Sequence, residues 1–193
     1  MIETGVVNGR FQVLNLKHME YILAAKMKCS KLFIGINNPD ALHTKESEAD
    51  RNRSEKSANP FTYFERYEML RMALREFRVP ENEFDIIPFP INLPEYILQY
   101  APKDATYFLG LYEEWDAEKL EILEGLGVRT EVLWRKTPEQ KGVSSSCIRR
   151  KIALGEEWAD YVPPSVYQYM KERHLDERVR RLEKMRMDEK SLI

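Results

Sequence analysis

The residues best suited to chemistry lie near the start of the chain, where an apolar segment is followed by a glycine, an arginine and a histidine. The apolar segment predicts a short buried strand, and apolar side chains after the histidine recur at helical spacing. Gly9 lies in the turn between the two elements, where a glycine lets the backbone bend closely. His18 falls near a helix N-terminus, whose unpaired N–H groups and positive dipole end favour an anion. With Arg10 and Lys17 nearby, this turn predicts a phosphate site.

A second group of polar residues lies far along the chain. Ser144 and Ser146 stand at the predicted start of a helix, and Arg149 lies about one turn inside it. Serine hydroxyls either cap a helix or bind a phosphate, and arginine presents a planar fork of donors to phosphate oxygens. Taken alone, the pattern favours a helix cap with solvent-facing arginines. Beside the first group, it favours a second part of one phosphate site.

Composition and charge exclude several classes of partner. The chain has 193 residues, 30 basic and 32 acidic side chains, and a net charge of −2. This length fits one domain, and the balanced charge lacks the basic bias of nucleic-acid binding. No segment approaches the about 20 apolar residues that span a bilayer. Cys29 and Cys147 show neither metal-ligand spacing nor a disulfide framework. We therefore expect a cytoplasmic protein with no nucleic-acid or membrane partner and no metal site built by the chain.

Strands and helices alternate along most of the chain, which is typical of a parallel sheet covered on both faces. The patterns predict strands at residues 5–8, 31–37, 84–89, 106–109 and 128–134, and helices at 19–29, 62–77, 94–100, 114–126, 146–154, 165–174 and 176–190. In such sheets ligands bind beyond the carboxyl ends of the strands, where the strand order reverses. We expect an α/β protein with a Rossmann-like five-stranded parallel sheet, helices on both faces and a C-terminal helical extension.

Two segments depart from this alternation. Residues 41–60 have no periodicity and are rich in charged side chains, which is typical of a functional lid or a disordered loop, and we expect a lid loop. Residues 1–174 are expected to form one domain, followed by a charged helical tail at 175–193. Because the charges of the tail have mixed signs, we expect a solvated or subunit-contacting helix rather than a binding arm.

The two polar groups resemble the motifs of the HxGH-type nucleotidyltransferase superfamily, and within it the archaeal-type nicotinamide mononucleotide adenylyltransferases. The resemblance rests on Gly9-Arg10-Phe11-Gln12 with His18, and on the Ser-x-Ser-x-x-Arg set at 144–149. It implies that a phosphate oxygen of an acceptor attacks the α-phosphorus of a nucleoside triphosphate in line, and that pyrophosphate leaves. Such a reaction depends on positioning and charge neutralisation more than on a protein nucleophile.

The resemblance also implies roles for individual residues. His18, Arg10 and Arg149 are the catalytic candidates. The nucleotide-site candidates are Gly9, Arg10, Phe11, Gln12, Asn15, Lys17, His18, Gly110, Ser144, Ser146 and Arg149. The acceptor-site candidates are Asn37, His43, Arg66, Asn92 and Tyr96. Mg²⁺ would be held mainly by the triphosphate, because this cation keeps several waters and seldom occupies an all-protein cage. A homo-oligomer is also implied.

The chain departs from the family pattern at four informative positions. Asn15 stands where the motif has its first histidine or a threonine, and Lys17 stands where it has glycine. An asparagine amide donates hydrogen bonds but carries no proton or charge. The archaeal enzymes have a tryptophan after the third strand and an asparagine after the glycine that ends the fourth, whereas the corresponding stretches here contain Tyr96 and Leu111. These differences leave the acceptor open.

Three hypotheses follow. The first is an adenylyltransferase that makes the dinucleotide cofactor from ATP and nicotinamide or nicotinate mononucleotide. The second is a cytidylyl- or adenylyltransferase for another small phosphate or phosphonate, and it has nearly equal support. The third is a nucleotide-binding protein that has lost catalysis, suggested by Asn15 and Lys17. The joint presence of four residues argues against the third, because a decayed site has no reason to keep a dispersed set; they are Arg10, His18, Ser144 and Arg149.

Overall fold

Strands and helices alternate through the described part of this computed structural model, which comprises residues 2–40, 55–112, 114–137 and 142–190. The strands are β1 (Ile2–Gly9), β2 (Cys29–Asn37), β3 (Phe84–Phe89), β4 (Thr106–Leu111) and β5 (Arg129–Arg135). The helices are α1 (Leu16–Lys26), α2 (Tyr63–Glu76), α3 (Glu114–Gly125), α4 (Ser145–Leu154), α5 (Pro164–Glu172) and α6 (Leu175–Lys190). Short 3₁₀ helices lie between them at Lys56–Ala58, Glu81–Glu83, Pro94–Gln99 and Ala159–Tyr161.

The five strands pair in parallel in the order β3-β2-β1-β4-β5. The chain moves outward from β1 to β2 and β3, then returns to the other side of β1 for β4 and β5, so the strand order reverses beside β1. The registered pairs of β1 and β4 are Gly5 with Thr106 and Val6 with Tyr107. Beyond them the two strands are no longer paired toward their carboxyl ends. The predicted α/β, Rossmann-like parallel sheet is confirmed.

Hydrophobic clusters cover both faces of the sheet. One cluster contains residues of α1, α2, α4, α5 and α6, and the other contains residues of α3 and the 3₁₀ helix Pro94–Gln99. Val6 and Val7 of β1 are both fully buried and belong to different clusters, because successive side chains of a strand point to opposite faces. Each fully buried side chain of this size contributes roughly 1.5–3 kcal/mol by leaving water.

Local sequence signals account for most element ends. Thr62 and Glu65 form the predicted capping box of α2, and Gly155 ends α4 in the left-handed conformation with φ of 74°. Several boundaries differ from the predictions, and β4 continues through Gly110 to Leu111. β1 is longer than residues 5–8, α1 begins at Leu16 and ends before Cys29, which opens β2, and residues 94–99 form a 3₁₀ helix.

The C-terminal tail differs most from expectation. Instead of standing in solvent, α6 packs on α4 and α5, with Leu175 and Val179 in the larger hydrophobic cluster. Glu183 continues this series at a spacing of four residues and is also buried. Residues four apart share one helix face, so α6 has one buried face although most of its residues are charged. Helix α6 is therefore packed into the folded body.

The predicted lid at 41–60 is described only at its end. Residues 41–54 lie outside the described part of the structure. Residues 55–60 contain the 3₁₀ helix Lys56–Ala58, in which Ser57 and Ala58 are buried and which contacts α6. This end of the segment is therefore packed against the domain.

Candidate active site

A cavity of about 560 Å³ opens at the carboxyl end of β1, where the strand order reverses. All the positions predicted for the nucleotide site line it, namely Gly9, Arg10, Phe11, Gln12, Asn15, Lys17, His18, Gly110, Ser144, Ser146 and Arg149. The cationic Lys and Arg side chains in its wall are Arg10, Lys17, Lys119, Arg149 and Arg186, and the carboxylates are Glu55, Asp116 and Glu183. The excess of positive charge suits a polyanion.

The start of α1 fixes the orientation of His18. Asn15 is the N-cap of the helix, and its Oδ1 accepts a hydrogen bond of 3.0 Å from the His18 backbone N–H. In return, the His18 ring Nδ1 accepts a hydrogen bond of 3.2 Å from the Asn15 backbone N–H. A neutral imidazole that accepts at Nδ1 carries its proton on Nε2, so it can donate to a phosphate oxygen. The amide at position 15 thus has a structural purpose that its departure from the motif had concealed.

The turn before α1 depends on a glycine for a reason other than the predicted one. A Cβ atom on Gly9 would lie 2.7 Å from the ring of Phe11. Phe11 itself adopts a left-handed backbone conformation with φ of 54°, and its ring meets the His18 ring edge-on at a centroid distance of 5.2 Å. Gly9 therefore allows Phe11 to fold back and support His18.

The start of α4 lies against the start of α1. Ser144 caps α4, because its Oγ accepts from the Cys147 backbone N–H at 3.2 Å, and it lies 2.8 Å from Ser146 Oγ. Ser145 Oγ donates to the Val13 carbonyl at 2.9 Å and accepts from Asn15 Nδ2 at 3.4 Å. Two helix N-termini, separated by about 130 residues of sequence, therefore share one cavity wall. Their N–H groups and dipoles favour phosphate groups there.

Helix α6 supplies residues that the sequence analysis missed. Arg149 is only 5% exposed and donates to the Gln12 carbonyl and, at 3.2 Å, to Glu183 Oε1. The other oxygen of Glu183 accepts from Arg186 at 3.0 Å and 2.9 Å. Burial lowers the pKa of Arg149, and the charge of Glu183 opposes this change. The four-residue spacing that begins at Leu175 was the feature of the sequence that indicated that α6 packs against the domain.

The space between β1 and β4 holds another missed residue. Lys119 of α3 is 7% exposed, and its Nζ lies 3.4 Å from the Asn8 carbonyl and 5.9 Å from the Tyr21 ring centroid. Burial lowers the pKa of Lys119 to about 8, and the charge of Asp116 limits the decrease. Asn8 also donates to Asn37 Oδ1 at 2.9 Å, which places the predicted acceptor residue Asn37 in the same part of the cavity.

The described acceptor candidates other than Asn37, namely Arg66, Asn92 and Tyr96, do not line the cavity. Arg66 is 3% exposed and donates to the carbonyls of Arg10 at 3.1 Å, Asn37 at 2.7 Å and Asn38 at 3.0 Å, so it ties the ends of β1 and β2 together. Asn92 and Tyr96 lie beyond β3, and Tyr96 is 53% exposed.

His43 lies outside the described residues. Of the acceptor candidates that the structure describes, only Asn37 reaches the cavity.

The described residues contain no cluster of three or more His, Cys, Asp or Glu side chains that could hold a metal ion. The cavity wall at α1 and α4 instead presents hydroxyls and cations, which are ligands for phosphate oxygens. A divalent cation would fit this wall as a ligand of the phosphates and of water rather than of the chain. Within the described ranges, no helix is long and apolar enough to cross a membrane.

The fold and this site define a nucleotidyltransferase. A sequence model of the cytidylyltransferase-like family matches residues 6–151, and the chain belongs to this family. The chain is 46% identical over 177 residues to a phosphonoformate cytidylyltransferase of Streptomyces viridochromogenes, covering 92% of this chain and 95% of the relative. It is 30% identical over 189 residues to a nicotinamide-nucleotide adenylyltransferase of Thermococcus kodakarensis, covering 94% and 89%.

Solved structures agree on the fold. A bifunctional NMN adenylyltransferase/ADP ribose pyrophosphatase of Francisella tularensis, complexed with AMP and a manganese ion, superposes with a TM-score of 0.68 at 14% identity. The match covers all of this chain and 56% of that protein, so the chain spans little more than half its length. A putative nicotinate-nucleotide adenylyltransferase of Vibrio parahaemolyticus superposes with a TM-score of 0.58 at 15% identity, over 91% of this chain and 96% of that one.

Proposed function

We propose that this protein transfers a cytidylyl group from CTP to a small phosphonate or phosphate and releases pyrophosphate. The observation that carries the reaction type is the shared cavity wall of α1 and α4, which His18, Ser144 and Arg149 all line. The 46% identity to a phosphonoformate cytidylyltransferase over nearly the whole of both chains supports this nucleotide and acceptor class.

The cavity residues would act by holding charge rather than by forming a bond to the substrate. An acceptor oxygen attacks the α-phosphorus, a new P–O bond forms, and the bond to the bridging oxygen of the departing pyrophosphate breaks with its electron pair. His18 would donate from Nε2 to a triphosphate oxygen as negative charge builds there. Ser144 and Ser146 would hold the leaving pyrophosphate with Arg149. A divalent metal ion, bound through the phosphates, would neutralise part of the same charge.

The surroundings of the cavity argue against a nicotinamide ring as the acceptor. Tyr96, which stands near the position of the stacking tryptophan of the archaeal enzymes, lies outside the cavity and is mostly exposed. Leu111, at the position of their asparagine, is buried and has no side-chain hydrogen-bonding group. Adenylyl transfer to nicotinamide mononucleotide is the second candidate, favoured by relatives of that name at 28–31% identity.

Pyrophosphate release tests the proposal. Purified protein would be assayed with CTP and with ATP, each against phosphonoformate, methylphosphonate, nicotinamide mononucleotide and nicotinate mononucleotide, with a no-acceptor control for hydrolysis. We expect CTP with a phosphonate to give kcat/KM at least about tenfold above any nicotinamide nucleotide pair, a difference of roughly 1.4 kcal/mol. Preference for ATP with a mononucleotide would favour the second candidate, and no release with any pair would exclude both.

A further inference from the structure

One side of the cavity is the wall formed by the starts of α1 and α4, and the opposite side is formed by other elements. Lys119 extends from α3, which covers the opposite face of the sheet from α1, α4 and α6. Its Nζ reaches the Asn8 carbonyl at the end of β1, where β1 and β4 no longer pair. The lysine therefore enters the cavity through the opening at the reversal of strand order, apart from the cations that come from α1, α4 and α6.

The ammonium group of Lys119 has few partners for a buried charge. An ammonium can donate three hydrogen bonds, and the one to the Asn8 carbonyl is long at 3.4 Å. The nearby Asp116 accepts a hydrogen bond of 2.9 Å from the Tyr112 backbone N–H. Of the described carboxylates, Asp116 raises the pKa of Lys119 by its charge, but burial lowers that pKa by more. A buried cation with this environment is costly unless an anion binds beside it.

We propose that Lys119 binds a second acidic group of the acceptor. The acceptor is then a small phosphonate or phosphate that also carries a carboxylate, with the phosphonate attacking and the carboxylate held at Lys119. The triphosphate has its own cations on the other wall, so the lysine is left for a different anion. This inference rests on the proposed function, because it assigns the acceptor side of the same cavity.

The test compares two acceptors that differ in one group. Phosphonoformate carries a carboxylate where methylphosphonate carries a methyl group. We expect the wild-type protein to have a lower KM for phosphonoformate by about tenfold to a hundredfold, as for a hydrogen bond to a charged group. Lys119→Met should raise the KM for phosphonoformate by a similar factor, leave the KM for methylphosphonate within about threefold, and leave the KM for CTP unchanged.

Controls separate binding from folding. Glu118→Gln changes an exposed residue of the same helix and should match the wild type with both acceptors. Lys119→Gln, whose amide can still donate to the Asn8 carbonyl, is the second variant in case Lys119→Met does not fold. Melting temperatures of all variants verify the fold.

Three results would overturn the inference while leaving the proposed function intact. The first is an equal KM of the wild type for the two acceptors. The second is an equal increase in KM for both acceptors in Lys119→Met. The third is an unchanged KM for phosphonoformate in that variant. The wild-type comparison needs no variant at all. A different result, no pyrophosphate release from the wild type with any pair, would refute the proposed function itself.

Discussion

Replacement of Glu183 by glutamine is expected to destabilise the protein. It is also expected to enlarge the increase in Tm that pyrophosphate produces. Glu183 and Arg149 are 2% and 5% exposed, so their ion pair is buried. Removing one partner of a buried pair costs about 3–5 kcal/mol, because the other charge remains in a low-dielectric environment. Glutamine still accepts one hydrogen bond, which places the expected loss near the lower value, about 3 kcal/mol. For a chain of this size, this corresponds to a decrease in Tm of about 6–12 °C.

Pyrophosphate should raise the Tm of Glu183→Gln more than it raises the Tm of the wild type. The substitution removes one of the carboxylates of the cavity wall and leaves its cations in place, so the site becomes more positive. An anion beside Arg149 and Arg186 then supplies the charge that Glu183 provided. Thermal unfolding would be followed with and without saturating pyrophosphate, and the increase in Tm should be larger in Glu183→Gln.

The matched control is Glu177→Gln on the same helix. Glu177 pairs with His174 at 3.2 Å, but the two side chains are 65% and 73% exposed. Surface substitutions of this kind change stability by about 0.5 kcal/mol or less. If Glu183→Gln had the same Tm as Glu177→Gln and the wild type, the assignment of α6 as part of the active-site wall would be wrong.

Three further predictions concern individual residues. His18→Ala should lower kcat by about two orders of magnitude with an unchanged circular dichroism spectrum, and turnover near wild type would remove His18 from its assigned role. Arg66→Met should lower the free energy of unfolding by about 3 kcal/mol, measured by urea titration, because three carbonyls lose their donor; Arg71→Met, on the exposed side of α2, is the control. Without acceptor, Lys119→Met should be more stable than wild type at pH 7, by up to about 3 kcal/mol, because the lysine is charged in both states below its folded pKa of about 8. The advantage should shrink as pH rises from 8 toward the pKa of about 10.4 in the unfolded chain, and a constant difference would contradict the argument.

The short-range features of the site could be predicted from the sequence with good accuracy. The turn from β1 to α1 is encoded within about fifteen consecutive residues by an apolar run, a glycine and a helical period. The cap at Ser144 follows from the residue types around it, as does the capping box at Thr62. These signals act over one or two helical turns, so they survive without knowledge of distant contacts.

Individual side chains were harder to assign. Arg66 has the residue type of a phosphate ligand, but the structure uses its donors on backbone carbonyls. Asn15 departs from a motif, yet its amide caps α1 and contacts Ser145. Residue type states which hydrogen bonds a side chain can make, whereas the neighbours that the fold brings to it select among them.

The sequence by itself determined the alternating α/β pattern, the strand-turn-helix unit that carries His18, and the resemblance to nucleotidyltransferases, because each is written in local periodicity and spacing. Tertiary structure decided which distant segments meet. It brought the start of α4 against the start of α1, turned the charged helix α6 inward so that Glu183 meets Arg149, and buried Lys119 beside Asn8. These long-range contacts depend on the order of strands in the sheet and on the simultaneous burial of the apolar faces of several helices. No local sequence pattern encodes either of these.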